Sequence, residues 1–161
     1  DDLNHICARM KSLDYGVPTR MIEKLKQMNV NIKFISDGDV AGVIYVVDES
    51  SPVDIYMGIG GGPEGVLAGA ALSCLGGQMQ TRLVLDDEQL MRIKKMGITD
   101  HKKKYNLDEI VKGDTIFCAT AITSGDLLNG INDKDTFFEA STFILHKETK
   151  TNKKITNRHP K

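Results

Sequence analysis

The residues best placed to do chemistry are three carboxylates in two glycine-bearing loops: Asp37 and Asp39 in Ser36-Asp37-Gly38-Asp39, and Glu64 in Gly58-Ile59-Gly60-Gly61-Gly62-Pro63-Glu64-Gly65. Asp37 and Asp39 stand about one strand step apart, with Gly38 allowing a sharp turn between them, so both can face one ligand as hydrogen-bond acceptors. Such a pair suits sugar hydroxyls or metal-bound water. The same residues also describe an Asx-turn at a strand end, with Asp39 capping the next helix. In the second loop, five glycines in eight positions permit close backbone approach ahead of a helix start whose free N–H groups favour an anion. Glu64 could be that anion, kept ionised and offering its oxygens to a hard divalent cation such as Mg²⁺ or Mn²⁺. A tight turn with a solvated capping glutamate fits the same residues.

Other chemistries find less support. His5, His101, His146 and His159 show no H-x-x-x-H spacing and are expected to be solvated. Cys7, Cys74 and Cys118 are far apart, with no C-x-x-C pair, and are expected to be reduced core residues. Cys118 in particular reads as a small core residue within a strand rather than a nucleophile, and no G-x-S-x-G motif occurs. A dinucleotide fold is suggested by Gly58-x-Gly60 after a strand and Asp86 at the end of the next. It fails where Pro63 and Glu64 replace the third glycine, because a carboxylate there repels a pyrophosphate.

These loops need strands to present them. Ile32 to Ile35 and Val53 to Met57 are β-prone runs that end in the two acidic loops. Pro18 to Met28, with Met21, Ile22, Leu25 and Met28 at helical spacing, predicts an amphipathic helix stopped at Asn29. Val66 to Leu75 is small and apolar, as in a helix packed tightly on a sheet, and Gly76-Gly77 ends it. Thr81 to Leu85 reads as a strand, and Asp86 with Gln89 forms a capping box for a helix reaching Met96 and closed by Gly97. His101 to Lys104 reads as a basic loop, Leu107 to Val111 as a helical turn, and Thr115 to Thr120 as a strand. Thr136 to His146 and Lys153 to Asn157 read as an antiparallel pair with edge-protecting lysines. Val40 to Val47 is ambiguous: its β-branched residues favour strand, whereas Asp39 favours a helix start.

The alternation implies a layered α/β sandwich with a mainly parallel or mixed sheet and a C-terminal antiparallel hairpin. In such sheets ligands bind beyond the carboxyl ends of strands, where Asp37, Asp39 and Glu64 are expected. With 161 residues, 40% hydrophobic and 27% charged, residues 1–161 suit a single domain with a core of its own. A formal charge of −1 gives no global field for nucleic acid or an anionic membrane. The basic stretch from Lys147 to Lys161 lacks interleaved aromatics and reads as a solvated edge. No membrane span or signal peptide is recognisable, so a cytoplasmic setting is expected.

Three blocks in succession carry a resemblance: Ile35-Ser36-Asp37-Gly38-Asp39-Val40-Ala41, then Gly58 to Ala68, then Leu75-Gly76-Gly77-Gln78-Met79. Together they resemble class II (GlpX-type) fructose-1,6-bisphosphatases, and Ile116 to Leu128 is similar to that family's later strand and loop. The resemblance implies a sugar-phosphatase superfamily fold and metal-dependent hydrolysis of the 1-phosphate of fructose 1,6-bisphosphate in gluconeogenesis, with sedoheptulose bisphosphatase activity in some members. It implies Mn²⁺ or Mg²⁺ as cofactor, a sugar bisphosphate as substrate and a homo-oligomer. By this likeness Glu64 is a metal ligand, while Asp37, Gly38, Asp39 and Gly61 belong to the substrate site. Family members are roughly twice as long, so the chain resembles the C-terminal half of a two-domain enzyme. The N-terminal half would be its partner, and this chain alone is expected to be nearly inactive. Where the family has Asp-Arg-Pro-Arg-His, this chain reads Asp14-Tyr15-Gly16-Val17-Pro18, without either arginine. That departure supports the alternative of a noncatalytic sugar-phosphate-binding or regulatory domain.

Overall fold

The computed structural model describes residues 5–9, 17–35 and 39–161, with the backbone alone for 5–9 and Asp39. Strands β1 (His5–Arg9), β2 (Asn31–Ile35) and β3 (Ile55–Met57) form a parallel sheet in the order β2-β1-β3. His5 lies opposite Asn31 on one side of β1, and Ile6 opposite Ile55 on the other. Because the three strands run the same way, the chain leaves β2 and β3 at the same end of the sheet. Each exit leads to a helix, α2 (Asp39–Tyr45) or α3 (Gly62–Leu75).

Helix α1 (Thr19–Gln27) fills the span between β1 and β2 as the apolar spacing predicts, with Pro18 in the N-cap position and Asn29 at φ 57 just past the end. Ile22 and Leu25 pack with Val30, Ile32, Ile55 and Met57 around Val17, which is 2% exposed. The ambiguous segment after Asp39 is helical. Gly42 on α2 lets the Tyr56 ring of β3 lie against the backbone, since a Cβ there would stand 2.5 Å from Tyr56 Cε2. Close helix-to-sheet contact thus outweighs the β-branched side chains of this short helix.

Helix α3 has little amphipathic character, with Ala68, Gly69, Ala71, Leu72 and Ser73 all buried. A helix apolar on several sides needs cover on several sides. Here α3 packs on α2, on β6 (Ile116–Thr120) and β8 (Phe137–His146), and on α5 (Leu107–Ile110). Gly76 ends it at φ 77, its N–H donating to the Leu72 carbonyl. The core between α3 and β6–β8 is formed by Ala71, Phe117, Leu128, Phe143 and Leu145 with Ile44 of α2. Phe117 and Phe143 meet edge to face, with centroids 6.4 Å apart.

Two expectations are modified. The segment expected as strand Thr81 to Leu85 shortens to β4 (Gln80–Arg82), which pairs antiparallel with β5 (Lys104–Asn106) and so draws part of the expected basic loop into a strand. Strand β6 does not extend the parallel sheet: it runs antiparallel to β8, which also pairs β7 (Asn132–Asp133) and β9 (Thr151–Pro160). The described strands therefore divide into a parallel sheet, a two-stranded ribbon and an antiparallel sheet. Helix α4 (Asp87–Lys95) forms as predicted, with Gln89 N–H donating to Asp86 Oδ1 at 2.7 Å and Asp86 N–H to Gln89 Oε1 at 3.2 Å.

Strand alternation corrects the reading of Cys118 as a core residue. Phe117 is buried, so Cys118 points to the opposite face of the sheet, where it is exposed beside Ile116 at 67%. Strand β9 is exposed almost throughout, as the solvated-edge reading of its lysines requires.

Candidate functional site

Glu64 lies in the first turn of α3, with its side chain exposed. Its carboxylate makes no hydrogen bond or ion pair to any other described residue. Gly61 is the N-cap at φ −67 and ψ 155, and its carbonyl accepts from Gly65 N–H at 3.0 Å. The Glu64 carboxylate folds back over Gly61 closely enough that a Cβ at 61 would collide with Oε2. Glycine at 61 therefore allows this carboxylate position. At Gly58 a Cβ would meet the Tyr56 hydroxyl at 2.6 Å, so the loop also needs glycine where it leaves β3.

Asp39 opens α2 at the carboxyl end of β2, and Glu64 opens α3 beyond the carboxyl end of β3. The two strands flank β1 in parallel, and α2 packs against α3. Asp37 and Gly38 lie outside the described residues. An open groove of about 310 Å³ runs behind these helix starts, lined by Val40, Ala41, Leu67, Ala119, Ala121 and Leu127 among others. Its lining is apolar, which suits a covering side chain better than a sugar phosphate.

Two polar clusters escaped sequence reasoning. Tyr45, at the end of α2, donates its hydroxyl to Asp126 in the loop after β6, while Lys33 of β2 stands 3.9 Å from that carboxylate and 3.8 Å from the Tyr45 ring centroid. At the other end of α3, His146 Nε2 lies 2.6 Å from Asp114 Oδ2, and Asp114 Oδ1 accepts from Thr115 N–H at 2.9 Å and Glu148 N–H at 3.1 Å. The His146 hydrogen bond leads the interactions that hold the Asp114 carboxyl below its ordinary value of 3.8. His146 is half-buried, which corrects the expectation of a simply solvated side chain. Residues 32 positions apart in sequence give no spacing signal, so only folding reveals this pair.

The chain is similar over residues 12–159 to the family described as bacterial fructose-1,6-bisphosphatase, glpX-encoded. It is 34% identical over 152 residues to fructose-1,6-bisphosphatase 2 class 2 of Escherichia coli K12, covering 85% of this chain and 47% of that protein. It is 33% identical over 154 residues to fructose-1,6-bisphosphatase class 2 of Haemophilus influenzae, covering 86% and 46%. Against D-fructose 1,6-bisphosphatase class 2/sedoheptulose 1,7-bisphosphatase of Trichodesmium erythraeum the identity is 32% over 146 residues, covering 82% and 42%. The chain belongs to the GlpX-type, class 2 fructose-1,6-bisphosphatase family. It spans a little under half the length of these relatives.

Proposed function

We propose that this chain is the substrate-binding half of a metal-dependent fructose-1,6-bisphosphatase, acting with an N-terminal half to convert fructose 1,6-bisphosphate to fructose 6-phosphate in the cytoplasm. The observation that carries this reading is Glu64: an exposed carboxylate with no partner among the described residues, at a helix start, over a glycine that leaves it room. Its oxygens fit a hard cation such as Mn²⁺ or Mg²⁺ in kind. They do not fit in number, because such an ion takes about six oxygen donors, so the rest come from water and the N-terminal half. When bound, paired divalent ions stabilise both the attacking and leaving oxygens of a phosphate ester.

In this reading Glu64 contributes one carboxylate to that metal centre, and its place in the first turn of α3 favours the ionised form. Asp37 and Asp39 accept hydrogen bonds from sugar hydroxyls and orient the ring, Gly38 between them belongs to the same substrate site, and Gly61 lets the substrate and Glu64 approach the same backbone. Val66 and Leu67, about half exposed two and three residues after Glu64, give the N-terminal half an apolar surface to cover. A layered sandwich of the sugar-phosphatase kind and a homo-oligomer belong to the same proposal.

The test is phosphate release from fructose 1,6-bisphosphate with Mn²⁺ by this chain joined to the N-terminal half. Turnover should appear on joining and fall about 10³-fold in Glu64→Gln, a loss on the scale of removing a key electrostatic contact in other enzymes. Full activity in that variant, or ordinary turnover by the 161-residue chain alone, overturns the proposal. A second reading, a noncatalytic sugar-phosphate-binding or regulatory domain, is favoured by Val17: where the family carries an arginine, this side chain is 2% exposed in an apolar cluster. Calorimetry with fructose 6-phosphate separates the two, since binding indifferent to metal supports the second.

A further inference from the structure

We propose that Asp114, His146 and Glu148 form a second cation site, selective for a transition-metal dication of the Zn²⁺ type and separate from the metal ligand Glu64. The three residues come from the loop before β6, the end of β8 and the β8–β9 turn, and their donor atoms all lie within 4.8 Å of one another. The cluster lies near the far end of α3, where Cys74 Sγ donates to the Thr115 carbonyl at 3.3 Å. Glu64 and Cys74 are ten positions apart on one helix, or about 15 Å along its axis at 1.5 Å per residue.

The donor set determines the class of ion. One imidazole nitrogen with two carboxylates suits zinc and its neighbours, whereas Mg²⁺ and Ca²⁺ prefer oxygen alone. Orientation comes from groups outside the three donors. Thr149 Oγ1 lies 2.9 Å from His146 Nδ1 and 2.7 Å from Thr151 Oγ1. A hydrogen-bonded far nitrogen fixes the ring and directs the near nitrogen, as around metal-ligating histidines generally. The Thr115 and Glu148 N–H groups hold Asp114 Oδ1, which turns Oδ2 toward His146. The Glu148 carboxylate is exposed and has no partner among the described residues. Lys147, next in sequence to both, is also exposed.

Two atoms bound to one ion at about 2.0 to 2.1 Å each must stand farther apart than the 2.6 Å between Nε2 and Oδ2. Metal entry therefore displaces the proton held between them to solvent, and the two side chains part slightly. The metal–nitrogen and metal–oxygen bonds replace one hydrogen bond and the ion's bonds to the waters it releases, with no change of oxidation state. Binding should weaken as the medium becomes acidic.

The experiment is calorimetric titration of the 161-residue chain with Zn²⁺ at pH 7.5, alongside NMR of the imidazole nitrogens. The expected result is one saturable equivalent, a shift of the His146 Nε2 resonance, and unchanged binding in Glu64→Gln. Glu148→Gln should weaken the affinity about tenfold or more, and His146→Gln should abolish the stoichiometric site. Absence of saturable binding, binding that ignores both the Glu148 and His146 variants, or loss in Glu64→Gln overturns the proposal. Should His146→Gln fail to fold, Glu148→Gln and the imidazole resonance decide. Because the Glu64 variant is read separately, failure here leaves the phosphatase reading intact.

Discussion

At one end of α3 the Glu64 carboxylate lies over Gly61 without a donor from any other described residue. At the other end Asp114 accepts two backbone N–H groups and pairs with His146, while Glu148 waits alongside. Both ends present acid groups at the surface, but among the described residues only the second is held by hydrogen bonds from its neighbours. A carboxylate that the fold leaves unoccupied is available to a ligand completed from elsewhere. One that is oriented from both sides already has a structural role in tying the β8–β9 turn to the strand beside it.

The largest expected effect tests the Glu64 end. Glu64→Gln, in the chain joined to the proposed N-terminal half, should cost about 10³-fold in turnover with an unchanged melting temperature; a matching loss of stability would instead make Glu64 a structural cap. Gly61→Ala probes the same end more gently. The added Cβ meets only the end of a flexible side chain, so the fold should be kept while the carboxylate moves away. Turnover should then fall about 10²-fold, on the scale expected for a roughly 1 Å misplacement, and retained turnover would show that this carboxylate position is immaterial.

The Asp114 end should show up in stability instead. Its carboxyl is held below 3.8 chiefly by the His146 hydrogen bond, so its contribution is fully present above that value and is lost as the pH falls through the lowered one. Asp114→Asn should flatten this part of the acid denaturation curve, and an unaltered curve would remove Asp114 from the account. The smallest effect belongs to Gly76, at φ 77 past the end of α3. Gly76→Ala should cost about 1 kcal/mol in urea denaturation and leave turnover nearly unchanged.

Much of this arrangement is legible in sequence where the determining interactions are local. The Asp86–Gln89 capping box, the Pro18 entry to α1 and the left-handed Gly76 stop are set by residues within a turn of one another. Strands β2 and β3 form within the β-prone runs that predict them. Partner choice between strands is different, because it depends on surfaces formed far apart in the chain. Nothing local in Ile116 to Thr120 distinguishes a parallel from an antiparallel neighbour, and nothing around Cys118 says which face of its strand is covered. The Asp114–His146 pair was illegible for the same reason. Of the candidate site, the placement of Glu64 at the start of α3 was legible because a helix start behind a glycine-rich loop has a local logic, whereas Asp37 and Gly38 fall outside the described residues.

The central position of β1 has a consequence for the order of assembly. Strands β2 and β3 both pair with β1 and are not neighbours of each other, so that sheet requires the start of the chain to thread between segments that follow it by tens of residues. The β8–β9 hairpin needs only its own short turn. Contacts close in sequence form early, and distant pairings wait on slower loop closure. The hairpin should therefore gain amide-exchange protection first during refolding, and the parallel strands β1, β2 and β3 last. A chain lacking its first nine residues should keep the former and never complete the latter.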